Sequence, residues 1–202
     1  FDLGARIWKR VTNPYNGPIS WPYASTAYPD GSPVPPHTYE YVDYHPTTNS
    51  FVLMRGITDG YASTNTTSTA IVHMLDLDTG QWRRSRQNGS LRMNASGVTC
   101  YDRIRDSFWI LGDSSTANQL TRFNPNATNS DGTVGSFTNY APPTVESDGG
   151  AECDPVNDIF VYTQFRYSDQ IYAVDLKNPG ATRVALRQTG DIPAKSGAGG
   201  WA

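Results

Sequence analysis

Several kinds of chemistry are excluded by what this chain lacks. In 202 residues there are three histidines and two cysteines. The histidines, His37, His45 and His73, fall at no spacing that a local metal motif uses. No phosphate loop, no Gly-x-Ser-x-Gly elbow and no carboxylate pair stands out. The reading is therefore that the segment holds no catalytic residue, no metal and no cofactor. Charged residues make up 17% of the chain, lysine is scarce, the net charge is -3 and the pI is about 5.5. A nucleic-acid surface would want a basic stripe, so no nucleic-acid partner is expected. No apolar run reaches the length of a membrane span, so no membrane insertion is expected. No window combines a helical period with caps, so almost no helix is expected.

What is present is a unit written three times. The copies begin at Tyr44-His45-Pro46-Thr47-Thr48-Asn49-Ser50-Phe51, Tyr101-Asp102-Arg103-Ile104-Arg105-Asp106-Ser107-Phe108 and Cys153-Asp154-Pro155-Val156-Asn157-Asp158-Ile159-Phe160. Each is a strand, a polar turn of matched length and a second, apolar strand. A third strand follows at Ile71 to Leu77, Gln119 to Asn124 and Ile171 to Leu176. A fourth begins at Trp82, Phe137 or Thr182, after a turn rich in Gly, Asn or Asp. All-strand units repeating at about 50 residues are the sign of a β-propeller, one four-stranded antiparallel blade per unit. The blades are placed at about 37-85, 96-141 and 149-187 of one domain spanning 1-202. The 18 Gly, 14 Pro and 12% aromatic residues suit short strands and tight turns.

Residues 5-11 read as a fourth strand without its first three, and 197-202 as a first strand without a sequel. The expectation is about three complete blades with an orphan strand at each end. Three blades do not close a ring easily. The missing blades are expected from further sequence of the same polypeptide, or else from other chains. A segment of a longer chain says nothing, through its own lack of a leader, about where the parent protein goes.

Pro35-Pro36-His37-Thr38-Tyr39, then Tyr44 to Met54, then Leu75-Asp76-Leu77-Asp78-Thr79-Gly80-Gln81-Trp82 resemble a Kelch-type repeat. The likeness extends over nearly the whole chain to propellers shaped like the central domain of galactose oxidase. In that family the second strand ends in a glycine pair. Here Gly56 and Gly112 stand singly at that place, and Tyr162-Thr163 has none. The resemblance implies a propeller and transfers no single function. It also implies an alternative, a carbohydrate-active enzyme of galactose-oxidase type with its catalytic residues outside this segment. Such a site holds copper on Tyr and His, with a Cys cross-linked to a Tyr.

Equivalent positions of a repeat bury equivalent faces. Phe51, Leu53, Phe108, Ile110, Phe160 and Tyr162 are therefore expected to be buried between adjacent blades. Cys100 and Cys153 sit one residue out of register on neighbouring first strands. The pleat would point them to opposite faces, which predicts two free, buried thiols. Asp76-Leu77-Asp78-Thr79-Gly80 lacks the further ligands of a calcium loop and reads as a hairpin turn. Ser130-Asp131-Gly132-Thr133 has some likeness to a sialidase Asp-box but misses its Gly and Trp positions, and reads as a loop. Asn65, Asn88, Asn94 and Asn126 have the form of glycosylation acceptors.

Two loops are long, 12-36 and 57-69, and both should emerge on one face. They carry Tyr15, Trp21, Tyr23, Tyr28 and Tyr61. Exposed aromatics are what a sugar ring or a protein hot spot uses. Trp21, Tyr23, Tyr28 and Tyr61 are the expected ligand contacts, and the partner expected is a protein or a glycan. The competing expectation is that these rings only pack the long loop down. The Ser/Thr/Asn-rich surface points to an extracellular or virion-exposed binding or structural module.

Overall fold

The structure, a computed structural model, describes residues 8, 10-18, 27-34, 41-55, 69-86, 88-92, 97-112, 120-140, 149-163, 170-187 and 189. It is all-β, with no helix among the described residues. Among the described residues thirteen strands are formed: β1 Val42–His45, β2 Ser50–Arg55, β3 Thr69–Asp76, β4 Trp82–Arg84, β5 Asn88–Arg92, β6 Val98–Asp102, β7 Ser107–Leu111, β8 Leu120–Thr128, β9 Val134–Asn139, β10 Ala151–Asp154, β11 Ile159–Thr163, β12 Ile171–Asp175 and β13 Val184–Ala185. They make three antiparallel meanders, β1-β2-β3-β4, β6-β7-β8-β9 and β10-β11-β12-β13. These are blade-like sheets, and their first strands β1, β6 and β10 adjoin one another in turn.

The repeated turn is what sets each meander. Its last residue, Asn49, Asp106 or Asp158, takes positive φ (44°, 47° and 58°). Asn and Asp tolerate that region because their short polar side chains bond locally. In the second and third meanders the turn's opening carboxylate holds it closed. Asp102 accepts the N–H of Ile104 at 2.9 Å, and Asp154 accepts that of Val156 at 2.8 Å. The third-to-fourth-strand turn of the first sheet works similarly. Asp76 accepts the N–H groups of Asp78 and Thr79, both at 2.9 Å, and Gly80 sits at φ 71°. A side chain at Gly80 would also press on the Val11 carbonyl, 2.7 Å from where its Cβ would lie. The calcium-loop look of this segment is thus a hairpin turn.

The sheets stack face to face. Call the face of each sheet that meets the next one forward, and the other backward. Tyr41, Val52, Met54, Val72 and Met74 of the first sheet's forward face pack on Phe108, Ile110, Phe123 and Val134 of the second. Val98, Trp109, Leu111 and Leu120 of the second pack in turn on Phe160, Tyr162, Val174 and Leu176 of the third. Strand alternation makes this possible, since residues i and i+2 share a face.

Four expectations need correcting. Cys100 and Cys153 are not free thiols. They form a disulfide across the second and third sheets, with Cα atoms 5.6 Å apart. The one-residue offset does send them to opposite faces of their own sheets. In a stack those are the two faces that meet, forward on one sheet and backward on the next. Secondly, Phe51 is only half-buried, and with Leu53 it lies on the backward face of the first sheet, away from the second. Leu53, Phe108, Ile110, Phe160 and Tyr162 are buried. Thirdly, the first sheet gains a fifth strand. β5 pairs with β3 above the end of β4, through Thr69↔Arg92 and Ala70↔Asn88. Its Asn-Gly-Ser composition gave no apolar alternation to read. Fourthly, Trp8, Arg10 and Val11 of the proposed orphan strand 5-11 are in no strand; its other residues, and all of 197-202, lie outside the described residues.

Candidate functional site

The polar turns form a belt at one end of the stack that joins the first sheet to the second and the second to the third. Asp106 lies between the first two sheets. Its Oδ1 meets His45 Nε2 at 2.9 Å and accepts hydrogen bonds from the Thr47 hydroxyl at 2.9 Å and the Tyr101 hydroxyl at 2.6 Å. Its Oδ2 accepts from the Asn126 amide at 2.8 Å. At the equivalent place in the next junction, Arg105 makes a two-pronged pair with Asp158 at 2.6 and 2.8 Å. The same guanidinium donates to Asp102 at 2.9 Å and to the Leu176 carbonyl at 3.0 Å. Asp102 also accepts the Trp109 indole N–H at 2.9 Å. His45 is thereby an inter-sheet hydrogen-bonding residue, and Arg105 a clamp of the bidentate kind.

Burial works to raise the Asp106 pKa. Hydrogen bonds from Tyr101, Asn126 and Thr47, with the charge of His45, outweigh it and hold the group at about 2. Burial and then Asp106 itself push Tyr101 up to about 12. A depressed carboxylate contributes stability above its unfolded pKa of about 4 and loses it as pH falls toward the folded value. We therefore expect the urea midpoint to fall between about pH 4 and pH 2. Asp106→Asn should flatten that limb, and equal slopes in the two proteins would contradict the assignment. Tyr101 adds stability that is present below about pH 10 and is lost as pH rises through 10 to 12.

Two concave places among the described residues bear on function. One is a groove of about 490 Å³ along the adjoining first strands, lined by Asp43, Tyr101, Arg103, Glu152 and the disulfide. Burial, opposed by the Tyr44 N–H and reinforced by the charge of Glu152, raises the Asp43 pKa. The other is a larger cleft of about 630 Å³ at the outer rim. Its walls are Tyr28, Pro29 and Gly31 of the long first loop, Trp82 to Arg84 of β4, and Asp131 to Thr133 of the β8–β9 turn.

The rim cleft is held by local chemistry. Ala27 and Pro33 bridge a tight hairpin in which Gly31 takes φ 85°. Asp30 accepts the Ser32 N–H at 3.0 Å and its hydroxyl at 2.6 Å, which fixes the bend. Tyr28 stacks on Tyr15, ring centroids 4.6 Å apart and planes 12° from parallel. On the far wall Asp131 binds the Thr133 hydroxyl at 2.6 Å and Arg86 at 2.9 Å. The Thr133 hydroxyl, and then Arg86, hold the Asp131 carboxyl well below the usual carboxylate range. Arg83 and Arg84 are exposed on the edge strand.

Of the residues expected to bind a ligand, Tyr28 lines this cleft. Trp21, Tyr23 and Tyr61 lie outside the described residues. Tyr28 stands beside the short turns at the rim, whereas the sequence placed the binding surface at the opposite end, with 57-69. Sequence reasoning missed Trp82, Arg83 and Arg84 as lining residues. The signal was there: an aromatic and two cations in succession on an outermost strand. The expected loop 130-133 is the β8–β9 turn.

Other candidates resolve into structural roles. Asn88 is buried, and its amide exchanges hydrogen bonds with Asn139 at 2.8 and 3.3 Å across the first two sheets. That amide is committed to packing. Asn126 is exposed, but its amide serves Asp106. Asn65, Asn94 and His37 lie outside the described residues. His73 is buried in β3, edge-on to Trp82 at 6.5 Å. No group of three His, Cys, Asp or Glu suited to a metal occurs among the described residues. Both cysteines of the chain are in the disulfide, so neither is available for a Tyr–Cys cross-link. No family model, curated protein or solved structure matches this chain.

Proposed function

We propose that this chain is a non-catalytic binding module of the β-propeller kind, displayed outside a cell or on a virion, which takes a glycan in the rim cleft. The observation that carries the reading is the lining of that cleft. Tyr28, braced by Tyr15, meets Arg83, Arg84 and the β8–β9 turn around about 630 Å³. A sugar offers a C–H face to an aromatic ring and hydroxyl or carboxylate oxygens to guanidinium donors. A cleft of this size with few convergent polar groups suits a short oligosaccharide. The disulfide supports an oxidising setting, since such bonds persist outside the reducing cytosol. The three stacked meanders and the Kelch-like segments support the propeller reading.

A glycan array carrying neutral and acidic oligosaccharides tests this. A bound glycan is expected, and Tyr28→Ala with Arg83→Ala should weaken it by about a hundredfold, roughly tenfold for each lost contact of ~1.4 kcal/mol. Far-UV circular dichroism checks that the sheets persist. No bound glycan, or affinity unchanged in the double variant, contradicts the proposal.

A further inference from the structure

The cross-strand rows of the three sheets differ in one respect. In the second sheet the backward-face row is Tyr101, Phe108, Phe123 and Phe137. It is covered by the first sheet, and Phe108 and Phe123 are fully buried. The register-equivalent row of the first sheet is Tyr44, Phe51, Leu75 and Trp82. It has the same aromatic character, yet Tyr44 is 47% exposed, its neighbour Val42 is 41% exposed, and Phe51 and Trp82 are half-buried. The third sheet shows the complement. Its forward face carries the row Glu152, Val161, Ala173 and Val184, flanked by Ile159 and Ile171. Val184 is 62% exposed, and Val161, Ile159 and Ile171 are half-buried. One open face is thus a backward face and the other a forward face.

We propose that these two faces bind each other between two copies of this chain. The junction is one the chain already makes twice within itself, forward face on backward face. In stacked repeats each interface is a nearest-neighbour copy of the last. The two faces also differ in the sign of their charge: the forward face of the third sheet carries Glu152 and Asp175, and the backward face of the first carries Arg84, in the row Val42, Leu53, His73 and Arg84. The contact is heterologous, and two such contacts close when the rotation allows. Two copies bring six sheets, within the four to eight of closed propellers. The rim cleft, lined by Asp131 to Thr133 of the second sheet and by Trp82 to Arg84 of β4, borders this backward face at the outer edge.

Analytical ultracentrifugation of the full chain at micromolar concentration provides the test. The expected species is a dimer of the 22.2 kDa chain. Tyr44→Glu and Val161→Glu should each give monomer. An equimolar mixture of the two should recover a dimer, because each variant keeps the face that the other has lost. Val42→Glu and Val184→Glu, both at exposed positions, repeat the comparison without disturbing the folded monomer. A monomeric wild-type chain, or a dimer indifferent to all four substitutions, overturns the proposal. So does a mixture that stays monomeric.

Discussion

Truncating Phe108 to Ala is expected to destabilise the chain by about 3–5 kcal/mol, the range for a buried aromatic replaced by Ala. The ring is fully buried at the middle of the first junction. Tyr101 and His45 lie around it, with centroids at 5.4 and 5.7 Å. Its cross-strand partner Phe123 is also fully buried. A cavity here forms between two sheets rather than within one, so neither sheet can close over it alone. Its neighbours are also fixed by polar bonds, Tyr101 and His45 both to Asp106. Urea unfolding checks the value, with the slope compared as well as the midpoint. A loss under about 1 kcal/mol would mean that the junction is not packed as described.

Removing the Cys100–Cys153 bond has an effect of similar size. The cysteines are 53 residues apart in sequence, and closing a loop of that length stabilises by roughly 4 kcal/mol in the chain-entropy treatment. Cys100→Ser with Cys153→Ser should lose about that much, as should reduction of the native chain under partial denaturant. The Arg105 clamp, which ties Asp158 and Leu176 of the third sheet to the second, remains in both cases. The sheet signal in circular dichroism should therefore persist in water while the urea midpoint falls. A midpoint insensitive to reductant would contradict the expectation.

How far the sequence reaches differs between fold and site. The meanders are legible because each depends on local chemistry: a polar turn that closes on Asn or Asp, and apolar strands on both sides. The Asn49, Asp106 and Asp158 positions recur for a reason that can be stated, a left-handed turn residue. Phe51 shows the limit of the repeat. It is equivalent in sequence to Phe108 and Phe160, but burial depends on having a neighbouring sheet, which is not a local property. The cysteines show a second limit. Strand alternation relates side chains within one sheet, and the relation that decides this pair runs between sheets. The rim cleft shows a third, because its walls come from the first loop, β4 and the β8–β9 turn. Tyr28 was legible as an aromatic on a long loop. That it would stand beside Arg83 and Asp131 depends on how two sheets and a loop assemble.

Face-to-face stacking in a repeated register underlies the junctions, the cleft and the open faces alike. It is tested most directly by placing the same bond at the other junction. Asp43 is the register equivalent of Cys100, and Tyr101 that of Cys153. Both line the inner groove, on adjoining first strands. The variant Asp43→Cys with Tyr101→Cys, oxidised by a glutathione couple and titrated for thiols in urea, should show no free cysteine. Peptide mapping should find residues 43 and 101 joined alongside 100 and 153. A pair of thiols that stays free at 43 and 101 while the native bond forms would contradict the stacking.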